Sequence, residues 1–83
     1  MRWDEGKNER LKRERGVSFE EIICAELVAV LKHSKRGNQN ILLFLHKGYI
    51  WVVPYVSCDG VIFLKTLFPS RKYTRLMKKG GLL

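Results

Sequence analysis

Residues 41–68, ILLFLHKGYIWVVPYVSCDGVIFLKTLF, decide the fold of this 83-residue chain. They hold three runs rich in β-branched and aromatic residues, separated by two short turn segments, and this pattern predicts an antiparallel meander. The strands are expected at Ile41 to Leu45, Tyr49 to Val56 and Val61 to Phe68. The Asp59-Gly60 pair indicates a hairpin turn. Pro54 cannot donate a ladder hydrogen bond, so we expect a bulge or an unpaired stretch in the second strand.

The third strand is apolar on both faces, which predicts that both faces of the sheet are covered. Val61, Phe63 and Leu67 share one parity, whereas Ile62, Leu64 and Phe68 share the other. An antiparallel sheet with one face in water normally alternates apolar and polar residues. Two short helices can cover one face. For the second face two alternatives remain: a bound partner chain, or the C-terminal helix folded back over the sheet.

One helix is predicted at each end of the chain. The first runs from Asp4, a capping residue, to Arg15, and Gly16 then ends it. Its few apolar residues indicate a helix on the surface of the domain. The last helix is expected over about residues 70–79, opened by Pro69 and Ser70.

A second N-terminal helix is predicted from a capping box. Ser18 and Glu21 form the S-x-x-E pattern, and apolar residues at helical spacing extend the helix over about residues 18–27. Residues 28–31 either continue it or begin a short strand, and residues 34–40 are a predicted polar loop. The whole chain, 1–83, is expected to form one α+β domain with two N-terminal helices, a three- to four-stranded antiparallel sheet and a C-terminal helix.

The charge of the chain indicates an anionic partner. Sixteen Lys and Arg residues stand against eight acids, for a net charge of +8, and Asp59 is the only acid after residue 26. Such a surface attracts polyanions and speeds their encounter with the protein. We therefore expect RNA as the partner. The alternative is an ordinary solvated basic surface.

Cysteine and histidine usage argues against a metal site or a disulfide framework, and the length of the apolar runs argues against a membrane anchor. Cys24 and Cys58 have no CxxC partner, so we expect reduced thiols in a cytoplasm and no cofactor. His33, in the polar loop, and His46, in the first hairpin turn, lack the spacing of metal ligands and are expected to be ordinary surface residues. The apolar runs are too short to span a bilayer.

The C-terminal segment is the densest cationic region of the sequence. Arg71 and Arg75 are four residues apart and therefore share a helix face, and Lys65 lies on the strand leading to that helix. Tyr73 places an aromatic ring among these cations, where a base can stack. No phosphate-binding loop or nucleophile motif is present. Phosphate chemistry without a metal is open to RNA, because its own 2′-OH can attack the neighbouring phosphorus.

Three segments resemble the BrnT family of bacterial toxins. Residues 3–7 follow the family's W-D-x-x-K pattern, residues 16–21 read GVSFEE as in the family, and residues 69–72, PSRK, are similar to its S-A-R-K stretch. The sequence departs from the family at Arg15, where members usually have His, and at Pro69 and Tyr73, which interrupt the small residues of the C-terminal stretch.

The resemblance implies a RelE-like fold and a toxin that cleaves RNA without metal and inhibits translation. It also implies a cognate antitoxin of ribbon-helix-helix type, with DNA bound only through that antitoxin. By position, Lys7 and Arg71 would be catalytic, and we expect them to share one groove with Lys65 and Arg75. The RNA-binding candidates are Arg15, Lys65, Tyr73 and Arg75. The competing hypothesis is a non-catalytic basic module that binds RNA or an acidic protein, since no general base is evident.

Overall fold

The computed structural model describes residues 1–32 and 39–80, which form an antiparallel five-stranded sheet and three helices. In chain order the elements are α1 (Glu5–Arg15), α2 (Phe19–Ile23), β1 (Glu26–Lys32), β2 (Gln39–His46), β3 (Tyr49–Cys58), β4 (Val61–Leu64), β5 (Phe68–Pro69) and α3 (Arg71–Lys78). The sheet order is β1-β2-β3-β4, and β5 also pairs with β3. The predicted α+β class is confirmed. Among the described residues, no helix has the length and apolar character needed to cross a membrane.

The predicted second helix is too long, because the chain turns after Ile23 and enters a strand at Glu26. The capping box of Ser18 and Glu21 is present, but α2 ends at Ile23. Leu27, counted as helical from its spacing, instead pairs with Phe44 of β2 in the β1 strand. A β-bulge interrupts β1 between Leu27 and Ala29. Of the predicted loop, only residues 39–40 are described and they belong to β2; His33 and residues 34–38 lie outside the described part.

The predicted third strand is broken in two, and Pro54 explains where. β4 pairs with β3 residues 55–58, whereas β5 pairs with residues 51–52. Pro54 keeps its register with Ile41 of β2, so no bulge occurs there. Its carbonyl accepts from the Lys65 N–H at 2.9 Å. The N–H and C=O groups of one residue in an antiparallel strand point to the same side. Because the Pro54 carbonyl faces Lys65, the side of Pro54 that lacks an N–H also faces the segment between β4 and β5.

The sheet is covered by helices on both faces. On the first face, Leu11 of α1 and Phe19 and Ile22 of α2 pack against β2, β3 and β4. On the second face, Tyr73 and Met77 of α3 pack against the buried residues Leu43, Ile50 and Val52. The C-terminal helix therefore folds back over the middle of the second face. Near β4 and β5 that face remains partly open.

The break between β4 and β5 changes which residues share a face. Leu64 and Leu67, predicted on opposite faces, are both fully buried in the core beneath α1 and α2. Phe63 pairs with Val56, and Phe68 pairs with Val52. Directly paired residues of an antiparallel ladder project to the same side, and Val56 and Val52 lie an even number of residues apart on β3. Phe63 and Phe68 therefore share the second face.

α3 is anchored to the sheet through both backbone groups of Ile50. The Ile50 N–H donates to the hydroxyl of Thr74 at 2.8 Å, and the Ile50 carbonyl accepts from the Ser70 N–H at 2.8 Å. The Thr74 hydroxyl in turn donates to the Ser70 carbonyl at 2.6 Å. Thr74 is buried, so these bonds have little competition from water and set the position of α3 along β3.

α1 is joined to α2 by a buried amide. The Asn8 side-chain oxygen accepts from the Phe19 N–H at 2.8 Å, and its amide nitrogen donates to the Glu20 carboxylate. Asn8 is fully buried, and Trp3 stacks on Phe19 with ring centroids 5.5 Å apart. The surface helix predicted from sequence is thus tied to the core through its inner face.

We expect Thr74→Val to destabilise the domain by about 1–3 kcal/mol, because the isosteric change leaves the buried Ile50 N–H without an acceptor. Chemical denaturation measures this free energy of unfolding. Thr66→Val is the matched control, since the Thr66 side chain makes no hydrogen bond with any other described residue. Equal stabilities of the two variants would contradict the anchoring role of Thr74.

The contact between Asn8 and Glu20 predicts acid-dependent stability. The hydrogen bond from Asn8 lowers the pKa of Glu20 below its ordinary value of 4.5. The folded state therefore favours the carboxylate, and this contribution is complete above pH 4.5 and disappears as pH falls through the lowered pKa. Glu20→Ala is expected to reduce the melting temperature at neutral pH and to approach wild type on acidification. In an Asn8→Ala background this pH-dependent difference should become smaller, because a backbone hydrogen bond and Lys12 also lower the pKa of Glu20. An undiminished difference there would rule out the Asn8 contact as its main cause.

Candidate functional site

Cations of α1 line a cleft with a volume of about 510 Å³, which we call the α1 cleft. Its lining residues are Asp4, Gly6, Lys7, Arg10, Arg13 and Lys65. The three α1 cations are spaced three residues apart, which places successive side chains next to each other on the helix surface. Lys65 reaches the cleft from the segment between β4 and β5. The cleft therefore joins cations that are more than fifty residues apart in sequence.

The α1 cleft keeps most of its positive charge. The Asp4 carboxylate, the acid that lines it, accepts from the Lys7 N–H at 2.9 Å and caps α1. Arg10 lies 3.8 Å from Glu14, but both side chains are largely exposed, so the pair stabilises little. Within residues 1–32 and 39–80, no acid forms an ion pair with Lys7, Arg13 or Lys65. Free ammonium and guanidinium groups in a cleft can bind phosphate oxygens.

A second basic cluster lies on α3 and lines a pocket of about 270 Å³, which we call the α3 pocket. Its lining residues are Tyr49, Arg71, Thr74, Arg75 and Lys78. The spacing of Arg71, Arg75 and Lys78 at i, i+4 and i+7 places them on one helix face. Thr74 connects this pocket to the sheet, since its hydroxyl accepts from the Ile50 N–H. The position of the pocket therefore depends on the anchoring of α3.

The structure divides the predicted site residues between these two places. Lys7 and Lys65 line the α1 cleft, and Arg71 and Arg75 line the α3 pocket. α1 packs on the first face of the sheet and α3 on the second. The expectation that all four cations share a single groove is therefore wrong. Lys7 and Arg71 line separate pockets and do not meet around one phosphate.

The remaining two candidates lie outside both pockets. Arg15 is the last residue of α1 and is exposed. Tyr73 is half-buried and packs against the apolar residues of the second face, so part of its ring already serves the core. The Lys72 Nζ lies 5.6 Å from the Tyr73 ring centroid, within the range of a cation–π contact. The predicted stacking of a base on Tyr73 would have to use the exposed remainder of the ring.

Arg10 and Arg13 were missed as site residues by the sequence reasoning, as was Tyr49. Arg10 and Arg13 follow Lys7 at three-residue intervals, so helical spacing was a usable signal for them. Tyr49 belongs to β3 and meets α3 only through the folded structure. No local pattern could have connected it with Arg71.

His46 differs from the expected surface residue of a turn. It is the last residue of β2, is half-buried and packs its ring edge-on to Trp51 at 6.4 Å. Its Nε2 is buried and has no hydrogen-bond partner among the described residues. The part of the chain that the structure describes has no group of three or more metal-ligating side chains. Cys24 and Cys58 are free and exposed.

Comparison with protein-family models, with curated proteins and with solved structures found no match for this chain. The similarity of residues 3–21 and 69–72 to BrnT toxins therefore stays a prediction. What the structure adds is the placement of two basic clusters, in which most of the cations form no ion pair with any described residue. Both have the chemistry to bind phosphate groups, and this is the starting point for a functional proposal.

Proposed function

We propose that this chain is a RelE-like toxin of a type II toxin–antitoxin system, an endoribonuclease that cleaves RNA without a metal ion and inhibits translation. The observation that carries the proposal is the α1 cleft, where Lys7 and Lys65 converge with two α1 arginines. Lys7 belongs to the W-D-x-x-K segment that resembles the toxin family, so sequence resemblance and geometry select the same residue. A basic cleft on a chain of net charge +8 favours a polyanionic substrate.

The proposed reaction uses the RNA itself as the nucleophile. The 2′ oxygen attacks the adjacent phosphorus, a bond from that oxygen to phosphorus forms, and the bond to the 5′ oxygen breaks. The 2′-hydroxyl proton passes to water, the departing oxygen takes a proton from water, and a 2′,3′-cyclic phosphate remains. Lys7 and Lys65 hold the non-bridging oxygens and stabilise the charge that develops on the pentacoordinate phosphate.

Arg71 and Arg75 act in this proposal on a different phosphate of the same strand. The α3 pocket is separate from the α1 cleft, so these arginines bind RNA that flanks the scissile position. Arg71 thereby contributes to cleavage by positioning the strand, and Arg75 shares its helix face. Arg15, exposed at the end of α1, adds to the field that attracts RNA.

The proposal includes a partner and a compartment. A cognate antitoxin of ribbon-helix-helix type would silence the toxin in the cytoplasm and would supply the DNA contacts of the complex. This part of the proposal follows from the resemblance to BrnT toxins. It is consistent with a domain that presents both basic clusters and a partly open apolar sheet face.

Incubation with single-stranded RNA in EDTA is expected to yield fragments with 2′,3′-cyclic ends. Lys7→Ala should reduce cleavage by about 10²-fold or more, because it removes a cation at the scissile phosphate. Arg71→Ala should also reduce cleavage, and the two effects should be additive in free energy because the residues occupy distant sites. Lys32→Ala, at the opposite edge of the sheet from β4, is the matched control. Intact RNA, or an Arg71→Ala variant as active as wild type, would reject the proposal.

Expression of the chain in a bacterium is expected to arrest growth and degrade cellular RNA. Co-expression with the product of the neighbouring gene should restore growth if that gene encodes the antitoxin. Lys7→Ala should abolish the arrest at an unchanged protein level, which immunoblotting measures. Normal growth with wild-type protein present at high level would argue against a toxin.

The alternative function is a non-catalytic module that binds RNA or an acidic protein. One feature of the α1 cleft favours it. The carboxylate that lines the cleft, Asp4, accepts the hydrogen bond that caps α1 and so is engaged in structure instead of serving as a general base. Such a module would leave RNA intact. Its affinity for single-stranded RNA would fall with salt at a log–log slope of roughly 0.7 per phosphate contact.

A further inference from the structure

The second face of the sheet has an uncovered part beside α3, which we call the open face. It presents three large apolar side chains that are substantially exposed: Val61 at 43%, Phe63 at 39% and Phe68 at 37%. Two of the three are aromatic. α3 packs over Leu43, Ile50 and Val52 and does not bury these rings. The open face therefore lies between the turn that precedes β4 and the start of α3.

The two exposed rings are placed at a regular distance by β3. Phe63 pairs with Val56 and Phe68 with Val52, four residues apart on that strand. At a rise of about 3.3 Å per residue, the backbone positions of the rings are roughly 13 Å apart. Between them lies the half-buried Pro54. Two flat hydrophobic surfaces on a rigid sheet are thus presented to solvent along one line.

Cations lie close to both rings, one through a backbone bridge and two through their position in the chain. Arg2 forms a parallel bridge with Phe63, held by hydrogen bonds to Ile62 and Leu64 of 2.8 and 2.7 Å, and its side chain is exposed. Arg71 begins α3 three residues after Phe68, and Lys72 follows it. Two acids lie near this rim in sequence: Asp4, which follows Arg2 by two residues and is engaged as the cap of α1, and Asp59, in the turn before Val61. The rim is therefore mainly positive around an aromatic centre.

The open face also lies between the two basic clusters in chain order. Lys65, in the α1 cleft, lies between β4 and β5, and Arg71, in the α3 pocket, follows β5. Phe68 lies between these two cations in the chain. An RNA strand that runs from Lys65 to Arg71 along this edge of the sheet would pass Phe68. A second copy of this chain is a poor occupant, because two molecules of net charge +8 repel each other.

We propose that the open face is a stacking platform for unpaired bases of single-stranded RNA. One base stacks on Phe63 and another on Phe68, while Arg2 and Arg71 contact the phosphates beside them. Stacking on aromatic side chains tolerates any base, because every base has a flat π-face. Duplex RNA is excluded from this contact, since its bases are already stacked and its edges lie in the grooves. This inference rests on RNA being the ligand, as in the proposed function.

The test measures affinity for a fluorescent oligouridylate of about eight nucleotides, a length within the usual site size for single strands. A 2′-O-methyl backbone prevents cleavage during the measurement. Phe63→Ala and Phe68→Ala are each expected to weaken binding by about 5- to 100-fold, in line with the contribution of one stacked base. The salt dependence should stay unchanged, because the phosphate contacts remain. Phe63→Trp should retain the affinity of wild type, since it keeps a ring.

Val61→Ala is the matched control, because it removes an equally exposed apolar side chain without a ring from the same face. It should change affinity less than twofold, and thermal unfolding of each variant monitors folding. An abasic oligomer of the same length should bind wild type and Phe63→Ala equally. Equal affinities of wild type and the two Phe variants, or an equal loss in Val61→Ala, would overturn the platform. Loss of antitoxin binding alone would assign the face to a protein.

The outcome separates this inference from the proposed endonuclease. If wild-type protein cleaves RNA but its RNA affinity does not depend on Phe63 or Phe68, the stacking platform is wrong and the endonuclease proposal stands. Ring-dependent binding of RNA that is never cleaved supports the platform and defeats the nuclease. Absence of RNA binding by wild type defeats both.

Discussion

Both faces of β3 are apolar, and the arrangement of the remaining elements depends on burying them. Val53 lies fully buried beneath α1 and α2, whereas Ile50 lies fully buried beneath α3. Burial of one large aliphatic side chain stabilises a fold by about 1.5–3 kcal/mol. A domain this small has few such side chains, so it must bury the middle of both faces. Helices consequently lie on both sides of the sheet.

This arrangement also determines where the positive charge can go. Each helix turns its apolar side chains to the sheet, so its Lys and Arg residues must project outward. Lys7 of α1 and Arg71 of α3 are therefore carried to opposite faces of the same thin domain. Lys65 joins the first cluster from the segment between β4 and β5, where its N–H still donates to the Pro54 carbonyl of β3. The uncovered edge with Phe63 and Phe68 is the part of the second face that the eight-residue α3 does not reach.

Two buried polar side chains hold the helices in place. Asn8 ties α1 to the beginning of α2, and Thr74 ties α3 to Ile50. Each is buried and accepts a hydrogen bond from a backbone N–H that would otherwise lack a partner. Loss of such a hydrogen bond is costly, because it leaves a buried donor unsatisfied. The basic clusters depend on these contacts, since the α1 cleft and the α3 pocket are lined by the helices that they position.

The sequence by itself determined the local structure of this protein. Helix caps such as Ser18, hairpin turns and the apolar strands were predictable because their hydrogen bonds and spacings involve residues close in the chain. Only the tertiary structure decided that Leu27 belongs to a strand, since its partner lies in β2. It also decided that Lys7 meets Lys65 and not Arg71, because which cations converge depends on the face that each helix covers. The face that each helix covers is determined by long-range packing of apolar side chains, and it cannot be predicted from the local pattern of charges.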